Sequence, residues 1–367
     1  MKIGKSLQDL AIEIERRAAA KQDFIAPVGK MEVVVRDNKP AIALANGEVK
    51  TFGINEVAHD QMAAYAGIPR DYYRRMQAED PALLANNINR WIHDAEKAGD
   101  KRMVRTLDGA VRALLSDKFR TLDNEDLAEV VLPVLMEKNF QILSCEITER
   151  RMYIKAVSRE IEKSIPSGAK MGDGSHHIFD CLAPAVSIGN SEVGFGSLYI
   201  ESGILTRACT NLAWFGAKMR KYHVGARADL SDDVYALLTD ETKRKTDAAV
   251  FGQVSDILQG AVNQQLFDKT VDKLQAATKD RLGDDVVEVV EQVGKKFSFN
   301  EGERKGILAR LIEGGDLSRY GLHSAVTRHS ADVENYDRAT ELEKMGGQII
   351  DLAPSQWHEV VRVSKAA

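Results

Sequence analysis

The stretch IFDCLAPAVSIGNSEVGFGSLYIESGILTRACTNLAWF, Ile178 to Phe215, decides the fold. Ile178 to Cys181, Ala185 to Ile188, Gly196 to Ile200 and Ile204 to Cys209 are short runs rich in apolar residues. Gly189-Asn190-Ser191 and Ser202-Gly203 interrupt them. Apolar runs this short, bounded by turn residues, read as strands, because a helix needs about ten residues or more while a strand needs only a handful. An antiparallel sheet is therefore predicted here. Upstream, Phe140 to Cys145, Arg151 to Val157 and Arg112 to Ser116 add further strands. In Arg151 to Val157 the side chains alternate, with Met152, Ile154 and Ala156 on one face and Arg151, Tyr153 and Lys155 on the other. That alternation predicts one core face and one cationic, aromatic face.

Downstream, the sheet runs into a basic stretch. Between Ser202 and Ala228 lie Arg207, Lys218, Arg220, Lys221 and Arg227 with no Asp or Glu among them, interleaved with Trp214, Phe215, Tyr222 and His223. Cationic side chains neutralise phosphates and release counterions, and planar side chains stack on any base. Together with Arg151, Tyr153 and Lys155, this run predicts a basic, aromatic groove. The competing expectation is that Trp214 belongs to the core and the cations solvate a loop.

Farther out, Ser6 to Gln22 carries Leu7, Leu10, Ile14 and Ala18 at helical spacing. Met31 to Val35, Ala41 to Leu44 and Val49 to Ile54 form a small meander, punctuated by Asn38-Lys39-Pro40 and Asn46-Gly47. A helical stretch from Asn55 to His93 is broken at Gly67-Ile68-Pro69 and Asp80-Pro81. Within it, Ala58 to Met76 has the outline of a helix-turn-helix, with Arg70, Tyr72, Tyr73, Arg74 and Arg75 on the second helix. A plain helix pair with a glycine cap is the preferred expectation. Beyond Leu230 the chain becomes helical; Gly314-Gly315 reads as a break, a polar helix follows through Leu342, and Gly346-Gly347 precedes a short apolar run at Ile349 to Leu352. The predicted class is α+β: an antiparallel sheet core, flanking helices and a helical C-terminal region. Its predicted divisions are 1–98, 99–230, 231–315 and 316–367.

Other chemistry is thinner. His176, His177, Asp180 and Cys181 are the densest group of metal-ligand types, but no third ligand stands at a recognisable spacing. The glycine-rich Pro166 to Ser175 lacks the phosphate-loop pattern, since Lys170 is followed by Met171. His323, Thr327, Arg328, His329 and Asp332 form a polar group on one helix, and Asn190, Ser191 and Glu192 a turn that could contact a ligand, with a plain glycine-rich hairpin as the competing expectation. No cofactor, metal or nucleotide hydrolysis is expected.

A formal charge of −5 over 367 residues excludes a protein that coats nucleic acid with its whole surface, so any contact must be a local stripe. Three unpaired cysteines, Cys145, Cys181 and Cys209, fit a reducing compartment, and no long apolar run marks an export signal or a membrane span. A cytoplasmic protein is the expectation.

Three stretches then carry a resemblance: ALLSDKFRTLDN (Ala113 to Asn124), SIGNSEVGFGSLYIESGILTRACTNLAW (Ser187 to Trp214) and HSAVTRHSADVENYDRATELE (His323 to Glu343). They resemble the phage- and plasmid-borne domain-of-unknown-function family numbered nine-three-two, over about Ala58 to Glu343. Leu212 and Tyr320 depart from it, standing where that family often has Gly and Trp. The resemblance implies a mobile-element setting, where DNA-handling proteins are common. At the level of architecture it is also similar to oligomeric single-strand annealing proteins. The resulting expectation is a homo-oligomer that binds single-stranded DNA and assists annealing, recombination or replication. Arg151, Lys155, Arg207, Lys218, Arg220, Lys221 and Arg227 would hold phosphates, and Tyr153, Trp214 and Tyr222 would stack bases. The alternatives are a metal-assisted hydrolase or counter-defence enzyme centred on His176, His177 and Asp180, and a helix-turn-helix regulator.

Overall fold

The computed structural model describes residues 1–46, 48–94, 99–158, 160–166, 179–206, 211–221, 240–260 and 263–363; at 46, 48, 216–221, 240, 242–244, 362 and 363 it describes backbone only. The fold is α+β, with two mostly antiparallel sheets and a helical C-terminal region.

The first sheet contains β1 (Gln22–Pro27), β2 (Met31–Arg36), β3 (Lys39–Asn46), β4 (Glu48–Ile54), β5 (Lys101–Leu107) and β6 (Ala110–Ser116). Its strand order is β1-β5-β6-β4-β3-β2, antiparallel except where Gly53 and Ile54 run parallel to Ala110 and Val111. Asp37 and Asn38 both take positive φ (50° and 58°), as do Asp108 and Gly109 (52° and 77°). That is the backbone a two-residue hairpin needs to match strand twist. The two edge strands, β1 and β2, are joined by only Val28–Lys30, which holds their ends within about 14 Å and curls the sheet on itself. The division expected at 98/99 runs through this sheet, since β5 and β6 follow it yet pair with β1 and β4.

Three helices, α2 (Glu56–Ala66), α3 (Arg70–Glu79) and α4 (Pro81–Ile92), cover the inner face through Met62, Tyr73, Leu84 and Ile88. Gly67 ends α2 in the left-handed region, and Asp80 caps α4 with Pro81 in its first turn. Tyr73 is fully buried, and Arg74 is tied to Glu56 and Asp60. Of the groups a recognition helix would present, Arg70, Tyr73 and Arg74 thus bind α2, while Tyr72 and Arg75 stay exposed.

The second sheet is wholly antiparallel: β7 (Phe140–Ile147), β8 (Met152–Ser158), β10 (Phe179–Asn190), β11 (Leu198–Thr206) and β12 (Asn211–Lys221) in the order β12-β11-β10-β8-β7, with β9 (Lys163–Pro166) also on β10. On one face, α1 (Leu7–Ala20), α5 (Asn124–Glu137) and α6 (Asp240–Gln259) pack through Leu10, Leu127, Val131, Val250 and Val254 onto Met152, Ile154, Val186 and Ile200. Over the other lie α7 (Gln264–Ala277), α10 (Arg319–His329) and α11 (Tyr336–Asp351). The remaining helices, α8 (Val286–Phe297), α9 (Glu301–Gly314) and α12 (Pro354–Val363), share a third core with them. No helix among the described residues is long and apolar enough to cross a membrane.

The turn Asn190 to Glu192 joins the two sheets. Glu192 accepts from Arg112 Nη1 at 2.7 Å and from the Asn124 N–H at 2.9 Å, and its carbonyl accepts from Arg105 Nη1 at 2.9 Å. Asn190 donates to Leu122 O at 2.7 Å. Burial opposes the Asp123 charge, but Arg105 and Lys21 outweigh it and hold that carboxyl down at about 2. These polar residues clamp two sheets together.

Candidate nucleic-acid interface

Tyr153, Lys155 and Trp214, three of the residues expected to line a groove across the second sheet, are buried. Tyr153 is 3% exposed; its hydroxyl donates to Asp337 Oδ1 at 2.7 Å and its ring lies 5.4 Å from that of Tyr336. Lys155 is fully buried, its Nζ 2.8 Å from Glu343 Oε2 and 4.6 Å from the Tyr336 ring centre. Trp214 is 2% exposed and donates its indole N–H to the same Glu343 oxygen at 2.9 Å. This corrects the expectation of an exposed face. α11 lies over the strand face that alternation marked as cationic and aromatic, and Glu343 from that helix answers the lysine and the indole. Burial pulls the Lys155 ammonium below its ordinary range against the opposing attraction of Glu343. Burial likewise pushes the Tyr153, Tyr199 and Tyr336 hydroxyls up.

Arg151, half-buried, donates to the Phe195 carbonyl. Lys218, Arg220 and Lys221 lie on edge strand β12, with Arg220 opposite Tyr199 and Lys221 opposite Leu198; their side chains are outside the description. Arg207, Tyr222, Arg227, His176 and His177 lie outside the described residues. Asp180 is 2% exposed and accepts the Tyr320 hydroxyl at 2.7 Å. No group of three or more His, Cys, Asp or Glu able to hold a metal occurs among the described residues. Burial pushes the Cys145 thiol up to about 12, an inert state for a nucleophile.

A different surface carries the combination the sequence led one to seek elsewhere. Where the first sheet curls, Phe24, Ile25 and Ala26 of β1 face Leu44 of β3 and Phe52 of β4 across a cavity of about 200 Å³. Lys30 and Lys50, both exposed, stand in its wall. Among the described residues, neither lysine makes an ion pair and no carboxylate lines the cavity. The Phe24 and Phe52 rings lie 5.9 Å apart at 48°, and Ile25 is 50% exposed. Phe24 sits on an edge strand, so its ring is only partly covered. Phe24 and Lys50 are far apart in sequence and no local periodicity unites them, so sequence reasoning missed them. The only local signal was Val28-Gly29-Lys30, a short link between two strands.

Compared with family models, curated proteins and solved structures, the chain matches none.

Proposed function

We propose that the protein binds single-stranded nucleic acid, with the first sheet's cavity as the contact. One observation carries the reading: Phe24 and Phe52 form an aromatic wall beside Lys30 and Lys50, with no carboxylate among the described lining residues. A base inserted against the Phe24 edge exchanges water for an aromatic surface, worth about 1–3 kcal/mol per base. The two ammonium groups sit where flanking phosphates would follow. This is a small site on a chain of charge −5, in keeping with a local stripe rather than a coated surface. Annealing or replication of a mobile element is the biological setting that reading implies.

The test is fluorescence anisotropy with a labelled oligo-dT at several salt concentrations. For single strands, the slope of log affinity against log salt is about −0.7 per phosphate neutralised. Lys30→Ala/Lys50→Ala should therefore flatten that slope by about 1.4 units, and Phe24→Ala should weaken binding at every salt concentration. Absent binding, or binding indifferent to these changes, defeats the proposal.

A further inference from the structure

At one end of the second sheet, Asp180 of β10 and Asn211 of β12 meet the loop between α9 and α10, which contributes Asp316. All three are buried, at 2%, 3% and 5% exposure. Each has one oxygen with no hydrogen-bond partner: Asp180 Oδ1, Asn211 Oδ1 and Asp316 Oδ2. The three side chains line one small cavity of about 20 Å³, together with Thr206 and Ser324. That is room for a single ion or water.

The partner bookkeeping is informative. Tyr320 donates its hydroxyl to Asp180 Oδ2 at 2.7 Å, leaving Oδ1 open. Asn211 donates its amide N–H to Ser324 O at 3.4 Å, which orients its own oxygen. The nearest cation to Asp316 is the exposed Arg281, 3.6 Å away on the other carboxylate oxygen. Arg310 and Arg328 also line the cavity but turn to Glu313 and Asp332. Gly321 holds the loop in place: a Cβ there would collide with the Asp316 backbone. Among the described residues, three acceptor oxygens thus line one cavity with no hydrogen-bond partner, while the other oxygen of Asp316 is paired with Arg281. A water can donate only two protons, and a buried acceptor left without a donor is expensive.

We propose that this cavity is a binding site for one hard divalent cation, Mg2+ or Ca2+, held by Asp180, Asp316 and the Asn211 amide oxygen. All-oxygen donors, two of them anionic, suit these ions and disfavour softer metals. Neither nucleic acid nor the first-sheet cavity enters into the proposal.

The test uses the full chain stripped with EDTA, titrated calorimetrically with MgCl2 and with CaCl2, with melting followed in parallel. One ion per chain is expected, with a higher Tm when it is bound. Asp180→Asn and Asp316→Asn should each weaken binding at least tenfold. In EDTA these variants should melt no lower than the parent, because each removes one of two neighbouring negative charges. Asn211→Asp, which adds a third carboxylate, should bind several-fold more tightly and melt lower in EDTA. No saturable binding of either ion, binding unchanged in the two Asp→Asn variants, or a Tm indifferent to both metal and EDTA would overturn the site and leave a buried water or a shared proton as its occupant.

Discussion

Replacing Glu343 with Gln isolates the chemistry beneath α11. Lys155 and Glu343 are both fully buried and 2.8 Å apart, and Trp214 shares the same carboxylate oxygen. Glu343→Gln keeps an acceptor for the indole but leaves the ammonium without a counter-charge, which should destabilise the fold by about 3–5 kcal/mol. Replacing the pair together, Lys155→Met with Glu343→Leu, removes both buried charges and is expected to be neutral or better in that term. It also strands the Trp214 N–H, at about 1–3 kcal/mol. The double variant should therefore lie within about 2 kcal/mol of the parent, far above the sum of the single changes. Urea denaturation of the parent, Lys155→Met, Glu343→Leu and the double variant closes the cycle and gives the coupling directly. The pH dependence supplies a second readout. Because burial holds Lys155 below its ordinary range, the unfolded chain binds that proton more tightly than the folded one. Stability should then rise with pH across the interval between the folded titration and the ordinary lysine value of about 10.4. In Glu343→Gln the interval should extend to lower pH. A Glu343→Gln loss below about 1 kcal/mol, or additive single effects, would refute the buried-pair argument.

Two further outcomes follow from burial and close approach. Desolvation lowers His59 and His323 from 6.5 to about 4, so the unfolded chain takes up their protons first and stability should fall between those pH values as acid is added. At about 1.4 kcal/mol per pH unit, each histidine accounts for about 3 kcal/mol, and His323→Gln should remove one such share from the urea midpoint plotted against pH. A flat profile in the parent would contradict this. Gly347→Ala drives a Cβ into the Trp214 carbonyl and should lower stability by about 1–3 kcal/mol or more, whereas Gly252→Ala on α6 meets open space and should raise it by about 0.5–1 kcal/mol. Thermal melts of the two variants should move in opposite directions.

What could be read from the chain was local. Asn38, Gly67 and Pro81 announce their turns because the backbone conformations they favour are rare for other residues, and the strands of the second sheet follow from apolar runs between such signals. Alternation along β8 correctly separates two faces, but it cannot say what covers each. The answer to Lys155 stands 188 residues away, at Glu343. The polar helix expected to run through Leu342 continues across Gly346-Gly347 to Asp351, and there the absent side chains let α11 approach Thr327 and Trp214. The polar string Asn190 to Glu192 looked like a ligand turn because buried salt links and binding sites draw on the same residues. The first-sheet cavity depends on β1 and β4 meeting through the curl of the sheet, a long-range event with no period of its own.

The position of α1 bears on synthesis. Its leading segment is fastened to β7, where the Gly4 N–H donates to the Ser144 hydroxyl 140 residues downstream. At ribosomal speeds of about 5–20 residues per second, Leu10 and Ile14 leave the exit tunnel roughly 7–28 s before the surface that shelters them. During that interval the nascent chain carries an amphipathic ribbon with nothing to lie on. That ribbon is where a chaperone would engage first, and a synonymous codon slowdown before Phe140 would prolong its exposure.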